Sequence, residues 1–212
     1  MKYIIMCGGT YEKWKTPKHL CKINGETLVE RTIRLLKENG VTDIAISSNN
    51  DIFNNYNVEL IKHNNPYYLP LEGRATSPWL DGFINLNEPA CYIFGDVVFS
   101  PEAIKIIVET KTDSIEFFAS RPPFDKRYFK EWAEPFAFKV VDYKQFFRDI
   151  DMTKYYETMG YFYRQPVSWE LWQVIKDTTL GRIDYDNYIV INDYTCDIDS
   201  PDDIFKFEGG SL

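Results

Sequence analysis

The first 112 residues alternate between short apolar runs and helix-forming segments. The run KYIIM (2–6) ends at Gly8-Gly9, and a short apolar run bounded by turn residues is typical of a buried strand. Three further runs of this kind lie at 43–48, 58–62 and 91–95. Helices are predicted between and after them, over 27–40, from 78 to about 86, and from 101 onward. Strands that alternate with helices predict an α/β fold, with a mostly parallel sheet covered by helices on both faces.

Capping signals mark where the predicted helices begin. Thr27 and Glu30 have the spacing of a capping box, in which each side chain binds the other residue's backbone N–H. Ser77-Pro78 and Ser100-Pro101 each pair an N-cap residue with a proline at the first helical position. The carboxyl ends of parallel strands meet at one edge of a sheet, where α/β proteins bind ligands. Gly8-Gly9 and Gly95-Asp96 both follow such strand ends.

The second half of the chain is less regular. Strands are predicted at 114–120, 135–142, 158–164 and 188–192, and helices at 143–150, 168–176 and 200–207. Between them, the aromatic and charged stretch 121–135 is predicted to form a long excursion. Hydrophobic residues make up 44% of the chain, which is enough for a full core, and no linker-like stretch divides it. We therefore expect one domain over 1–212.

Charge and cysteine usage exclude several classes of protein. The formal net charge is −8, which argues against general nucleic-acid binding and against attachment to an anionic membrane. The four cysteines are scattered without a C-x-x-C pattern, so neither a zinc site nor a disulfide framework is expected. With no signal peptide and no long apolar span, we expect a cytoplasmic protein.

The loop after the first strand concentrates positive charge in an acidic protein. Lys13, Lys15, Lys18 and Lys22 follow the glycine pair, with Glu12 as the one acidic residue among them. Glycines allow backbone N–H groups to approach a ligand, and lysines supply charge for phosphate oxygens. Taken alone, the segment is equally typical of an ordinary turn with solvated lysines, which is the interpretation for Lys15 and Lys22.

Acidic residues occur at two other places where a cation could bind. Asp96 follows a predicted core strand, and Asp197 and Asp199 alternate along an extended stretch near the C-terminus. Asp203 has the spacing to cap the last helix from Ser200, which gives it a structural role. We expect Asp96 and Asp199, with Asp197 as the alternative to Asp199, to hold Mg²⁺, which suits one or two carboxylates plus substrate phosphates. Without a cation, two such carboxylates repel each other, so removing one should leave the stability of the apo protein unchanged or slightly raised.

The order of these motifs resembles the nucleotidyltransferase (pyrophosphorylase) family, whose fold is of the glycosyltransferase-A type. The family's G-G-x-G-x-R loop, P-K-x-L, G-D and D-I-D-x-x-x-D-L motifs correspond here to 8–13, 17–20, 95–96 and 197–204. The segment 23–44 resembles the family's first helix region, 72–80 its nucleobase loop, and 158–164 its N-x-G-I-Y strand. The short chain is most similar to the small cytidylyltransferases and the MobA-like molybdenum-cofactor nucleotidyltransferases.

The resemblance implies a three-layer, Rossmann-like α/β/α fold and an activity. An acceptor phosphate would attack the α-phosphorus of a nucleoside triphosphate, CTP being favoured, and release pyrophosphate. It implies a nucleotide-binding half (1–112) and an acceptor-binding half (113–212), with a nucleoside triphosphate and a phosphorylated small molecule as partners and a homodimer left open. Lys13 and Lys18 are the implied catalytic residues. The implied nucleotide contacts are Cys7, Gly8, Gly9, Thr10, Tyr11, Gly73, Thr76 and Ser77. The implied acceptor contacts are Arg121, Arg127, Trp132, Glu134 and Gly160.

Two departures from the family pattern keep other functions open. Tyr11 replaces the loop's third glycine, and Lys13 replaces an arginine and its bidentate fork. A catalytically weak or inactive regulatory protein that binds nucleotides is one alternative, and a glycosyltransferase of the same broad fold is another.

Overall fold

The computed structural model describes residues 1–8, 14–62, 79–121 and 133–207. Its strands are β1 (Lys2–Met6), β2 (Lys22–Ile23), β3 (Glu26–Thr27), β4 (Ile44–Ser47), β5 (Glu59–Ile61), β6 (Ala90–Phe94), β7 (Val97–Val98), β8 (Ile115–Ala119), β9 (Pro135–Val140), β10 (Ile189–Val190) and β11 (Cys196–Asp197). Its α-helices are α1 (Leu28–Glu38), α2 (Pro101–Glu109), α3 (Tyr143–Thr158) and α4 (Ser168–Ile175). Short 3₁₀ helices cover Lys18–Leu20, Asp51–Tyr56, Leu80–Gly82 and Pro201–Lys206.

A seven-stranded sheet forms the centre of the fold, in the order β10-β8-β9-β6-β1-β4-β5. β1 pairs in parallel with β4 and β6, and β9 alone runs antiparallel to its neighbours β6 and β8. This mixed, mostly parallel sheet with helices confirms the predicted α/β fold. The carboxyl ends of β1 and β6 lie side by side, because Met6 is paired with Phe94 in the register of the two strands. The loops after β1 and β6 therefore begin next to each other on this edge of the sheet.

The starts of α1 and α2 form as the sequence predicts, whereas Ser77-Pro78 lies outside the described residues. The Thr27 hydroxyl accepts the N–H of Glu30 at 3.1 Å, and the Glu30 carboxylate accepts the N–H of Thr27 at 2.8 Å. Ser100 caps α2 by accepting the N–H of Ala103 at 2.9 Å, with Pro101 in the first turn. Caps of this kind are each worth about 1 kcal/mol, so they fix where the helices leave the sheet edge.

Two predicted elements differ from the structure. The helix expected from 78 to about 86 is limited to the 3₁₀ turn Leu80–Gly82, since Phe83 becomes extended and packs its ring against Tyr92, Phe138 and Phe146. The strand expected at 158–164 does not form: α3 runs on to Thr158, and a turn comes after it. Tyr161 and Tyr163, which lie within the predicted strand, are 55% and 67% exposed.

The core has a large part and a small part. The large cluster lies on both faces of the sheet and contains Ile4, Ile5, Ile93, Phe117 and Phe138, all fully buried. The small cluster is built from Ile23, Leu28, Val98, Cys196, Ile198 and Phe207, and it anchors β11 next to β7. None of the helices in the described part of the chain is long and apolar enough to cross a membrane.

Candidate active site

The site begins where β1 and β6 end. Cys7 is buried and donates its N–H to the carbonyl of Ser47 at 2.9 Å, and Gly8 comes next, half-buried. The N–H of Gly95 donates to the carbonyl of Met6 at 3.0 Å. A Cβ at position 95 would lie 2.6 Å from that carbonyl oxygen and 2.7 Å from the Cys7 sulfur. Only glycine permits this approach, which places Asp96 directly beside the end of β1.

Lys18 lies in the 3₁₀ helix that faces this edge, and it contacts both predicted metal ligands. Its Nζ is 2.6 Å from Oδ2 of Asp96 and 3.8 Å from Oδ1 of Asp199. The three side chains are 19%, 27% and 72% exposed, in the order Lys18, Asp96, Asp199. We call these three residues the lysine–carboxylate cluster. Residues predicted from three distant segments of the sequence thus meet at one point.

The electrostatics of the cluster favour the charged form of each partner. Burial opposes the charge on Lys18, but the attraction of Asp96, and then of Asp199 and Asp197, outweighs it and raises the pKa of the ammonium. Burial likewise opposes the charge on Asp96, yet the nearby Lys18 lowers the pKa of the carboxyl below its ordinary range. His19, behind the pair, is buried against the Phe53 ring, and burial lowers its pKa to about 4. His19 is therefore neutral near pH 7, and among the residues that the structure describes Lys18 is the cation that pairs with these carboxylates.

The acidic segment, which we define as residues 197–199, reaches the cluster through β11. β11 pairs antiparallel with β7, with Asp197 opposite Val97, and the N–H of Ile198 donates to the carbonyl of Asp96 at 2.9 Å. Because Ile198 is fully buried in the small core, the side chains on either side of it point the other way. Both Asp197 and Asp199 therefore face the cluster, as the alternation predicted.

The end of the acidic segment is fixed by a cap. The Asp203 carboxylate accepts the N–H of Ser200 at 2.8 Å and that of Asp199 at 3.1 Å. Asp203 thus has the capping role that its spacing from Ser200 predicted. The sequence did not indicate that the same carboxylate also holds the backbone of Asp199.

The donors of the cluster suit a hard cation. Both are carboxylates, and a single ammonium already lies within 4 Å of each. In the described part of the chain, no three histidine, cysteine or acidic residues are close enough to form a metal site of their own. Two carboxylates without further protein ligands are typical of Mg²⁺ sites that are completed by water and substrate phosphates. The residues present therefore fit the cation that the sequence predicts.

The other predicted site residues divide into two groups. Some lie outside the described residues: Gly9, Thr10, Tyr11, Lys13, Gly73, Thr76, Ser77, Arg127 and Trp132. Of the acceptor residues that the structure describes, Arg121 is exposed just after β8. Glu134 is buried where β9 begins. Gly160 lies in the turn after α3 with φ +74°, where the resemblance had implied a strand.

Sequence reasoning missed one contact of the site altogether. The Glu134 carboxylate accepts the N–H of Asp197 at 3.0 Å, across 63 positions of the chain. Glu134 lies at the end of the long excursion and carries no local motif that would link it to Asp197. The pairing of β9 with β6, together with that of β11 with β7, brings the two residues together.

Comparisons with known proteins agree with the fold. The model of the MobA-like NTP transferase domain matches residues 3–114. No curated protein matches the sequence significantly.

Three solved structures resemble the chain over almost its whole length. The inositol-1-phosphate CTP transferase from T. maritima has a TM-score of 0.54 at 16% identity, with 100% of this chain and 97% of that chain covered. The CTP:phosphocholine cytidylyltransferase LicC from Streptococcus pneumoniae has 0.52 at 18%, with 98% and 97% covered. HddC from Yersinia pseudotuberculosis, complexed with GMP-PN, has 0.55 at 17%, with 97% and 96% covered. At these identities the likeness shows a shared fold.

Proposed function

Because the chain belongs to the MobA-like NTP transferase family, we propose that it transfers a nucleoside monophosphate from a nucleoside triphosphate to a phosphorylated small molecule. A phosphate oxygen of the acceptor attacks the α-phosphorus, the bond from the α-phosphorus to the bridging oxygen breaks, and pyrophosphate leaves. A phosphate monoester is already anionic near pH 7, so the reaction needs no general base. Catalysis then consists of positioning the two phosphates and neutralising their charge.

The lysine–carboxylate cluster is the observation that carries this proposal. It lies at the carboxyl ends of the central strands β1 and β6, where α/β sheets bind ligands. It combines a cation suited to phosphate oxygens with two acids suited to Mg²⁺.

Each residue of the cluster has a proposed task. Asp96 and Asp199 would hold Mg²⁺, which when bound would neutralise triphosphate oxygens. The Lys18 ammonium would contact the α-phosphate and the acceptor phosphate, and so offset the repulsion between two anions. Gly95 keeps Asp96 against the end of β1. Lys13 would stabilise the departing pyrophosphate, as the family pattern implies.

The structural neighbours support the choice of substrates. Two of the three are named for CTP, and the acceptors in their names, inositol-1-phosphate and phosphocholine, are phosphorylated alcohols. We therefore propose CTP as the preferred nucleotide and a phosphorylated alcohol or sugar as the acceptor. HddC, with its guanine nucleotide, makes GTP the first competitor to test.

A thermal-shift screen with Mg²⁺ and each of the four nucleoside triphosphates tests the nucleotide preference, since a ligand that binds the native state raises the melting temperature. We expect CTP to give the largest shift. Pyrophosphate release is then measured with CTP and a panel of acceptors that contains myo-inositol 1-phosphate, phosphocholine and hexose 1-phosphates. Lys18→Met should lose activity, whereas the exposed Lys15→Gln should not.

The possible outcomes separate the functions. Pyrophosphate release that depends on one acceptor supports the proposed transfer. Nucleotide binding without pyrophosphate release from any acceptor would instead favour the inactive regulatory protein suggested by Tyr11 and Lys13. Transfer from a nucleotide-sugar would favour the glycosyltransferase.

A further inference from the structure

Glu134 is held rigidly next to the site. It precedes β9, is 8% exposed, and is bound through its backbone to Ser120 at the end of β8. The N–H of Glu134 donates to the Ser120 hydroxyl at 2.8 Å, and its carbonyl accepts the N–H of Ser120 at 2.8 Å. Because both its N–H and its carbonyl are hydrogen-bonded, the backbone of Glu134 is held in one position, and its side chain starts from that position.

The Glu134 carboxylate binds the free side of a short strand. β11 pairs with β7 on one side, where the N–H of Ile198 donates to the carbonyl of Asp96. Successive N–H groups of a strand point in opposite directions, so the N–H of Asp197 points away from β7. Oε2 of Glu134 accepts this N–H at 3.0 Å. The acidic segment is therefore held from both sides.

The position of the acidic segment decides the geometry of the cluster. Asp199 lies two residues beyond the bond from Glu134, and its carboxylate is 3.8 Å from the Lys18 ammonium while Asp96 is at 2.6 Å. The Asp199 side chain is 72% exposed, so burial contributes little to its position. The backbone hydrogen bonds of the segment, to Glu134, Asp96 and Asp203, help to fix its place.

We propose that Glu134 is a positioning residue, whose carboxylate holds the acidic segment so that Asp199 and Asp96 act on one cation. The consequence for nucleotide binding depends on the proposed function, whereas the hydrogen bond itself does not. This role differs from the acceptor contact that the family resemblance implies for Glu134, because the carboxylate oxygen is directed at a backbone N–H. Groups that support metal ligands in this way typically change metal affinity about 10- to 100-fold when they are removed.

Amide hydrogen exchange on the full chain, followed by NMR, tests the hydrogen bond directly. In Glu134→Ala the amide of Asp197 should exchange at least about tenfold faster relative to that of Tyr3, whose N–H donates to Asp43 within the sheet. Glu134→Gln retains an acceptor oxygen and should keep the Asp197 amide within about threefold of wild type. The proposal would be overturned if Glu134→Ala left the exchange rate of the Asp197 amide unchanged, or raised it only by the same factor as that of the Tyr3 amide.

Calorimetric titration with MgCTP tests the consequence. Both variants remove the same negative charge, so the difference between them isolates the hydrogen bond: we expect Glu134→Ala to weaken binding about tenfold or more and Glu134→Gln about threefold or less. Glu170 provides a matched control, because it is also buried and accepts a backbone N–H, that of Val167, at 3.0 Å. Glu170→Ala should lower the melting temperature without changing MgCTP affinity.

Two outcomes of the titration separate the proposals. Equal weakening by Glu134→Ala and Glu134→Gln would show that only the charge matters, and the positioning role would be wrong. If the wild-type chain binds none of the four magnesium nucleotides, the proposed function fails, and the exchange measurement alone decides whether Glu134 holds the segment.

Discussion

Removing the charge of Lys18 should create a site that binds Mg²⁺ in the absence of nucleotide. In the structure the ammonium lies within 4 Å of both Asp96 and Asp199, where it offsets part of the negative charge that would otherwise attract a metal ion. Mg²⁺ alone must therefore compete with a tethered cation. Lys18→Met retains the apolar stem, which packs in a largely buried position, and removes only the competing charge.

The magnitude can be worked out from the two contacts. The 2.6 Å pair with Asp96 is a partly buried, charge-assisted hydrogen bond, which contributes about 1.5–3 kcal/mol. The 3.8 Å pair with the exposed Asp199 adds at most about 1 kcal/mol. Together the two contacts are worth about 1.5–4 kcal/mol. Since each 1.4 kcal/mol corresponds to about a factor of ten, Lys18→Met should bind Mg²⁺ roughly ten- to several-hundred-fold more tightly than wild type when no nucleotide is present.

Urea unfolding at a series of Mg²⁺ concentrations measures this affinity, because binding to the native state raises the free energy of unfolding by mass action. In EDTA, Lys18→Met should be about 1–2 kcal/mol less stable than wild type, since two carboxylates then repel each other. Mg²⁺ should restore that loss, and Ca²⁺ serves as a second cation. Lys15→Gln, an exposed lysine three residues earlier, should respond to Mg²⁺ as wild type does. A Lys18→Met protein that Mg²⁺ stabilises no better than wild type would refute the argument.

Three further predictions concern the surroundings of the cluster. Asp96→Asn should lower the free energy of unfolding of the apo protein by about 1–3 kcal/mol. The substitution removes the 2.6 Å partner of the largely buried Lys18 ammonium and leaves the more distant contact with Asp199 at 3.8 Å. Urea unfolding measures the loss, and the exposed Asp202→Asn is the control that shows whether it is specific. Gly95→Ala should cost about 2 kcal/mol or more and lower the melting temperature, because its Cβ would meet backbone at 2.6 Å. Burial lowers the pKa of His19 from 6.5 to about 4 in the folded protein. As the pH falls, the unfolded chain therefore binds a proton at His19 before the folded protein does. The free energy of unfolding should decrease by roughly 3 kcal/mol between pH 6.5 and pH 4. In His19→Gln that part of the pH dependence should be absent, and an unchanged slope would contradict the assignment.

The expectation that removing Asp96 would relieve repulsion shows where sequence reasoning stopped. It treated the carboxylates as a pair without a cation, whereas the structure provides Lys18 as their common partner. The sequence indicated both acids and the lysine as site residues, each from its own motif. It contained no information on which of them would touch in the apo protein, because that distance depends on how the 3₁₀ helix at Lys18–Leu20 packs against the end of β6.

The helix caps could be predicted from the sequence, because each depends on residues that are close together in the chain. The capping box of Thr27 and Glu30, the cap at Ser100 and the capping role of Asp203 all depend on residues three positions apart, and all three form. The apolar runs of the parallel strands were equally clear, because both faces of those strands are buried. These elements placed Gly95-Asp96 on the correct edge of the sheet.

The wrong predictions came from segments where tertiary packing overrides the local pattern. The strand predicted at 158–164 does not form: the rings of Tyr161 and Tyr163 are exposed, and no neighbouring strand pairs with this segment in the described part of the chain. After Leu80–Gly82, the burial of Phe83 against Tyr92, Phe138 and Phe146 draws the chain out of the helix. Two of these partners, Phe138 and Phe146, lie far from Phe83 in the sequence.

The charge of the site explains why nucleotide and cation should bind together. Lys18 contributes one positive charge, and the three acids around it, Asp96, Asp197 and Asp199, contribute three negative ones, so these four residues carry a net charge of about −2 at pH 7. A free triphosphate would meet repulsion here, and a free metal ion would meet the ammonium. Under the proposed function, a metal–triphosphate complex would meet neither obstacle, because its cation would lie against the acids and its phosphates against the lysine. The Lys18 ammonium pairs with Asp96 in the apo protein, and with a metal ion bound to the acids it would be available to the reacting phosphates.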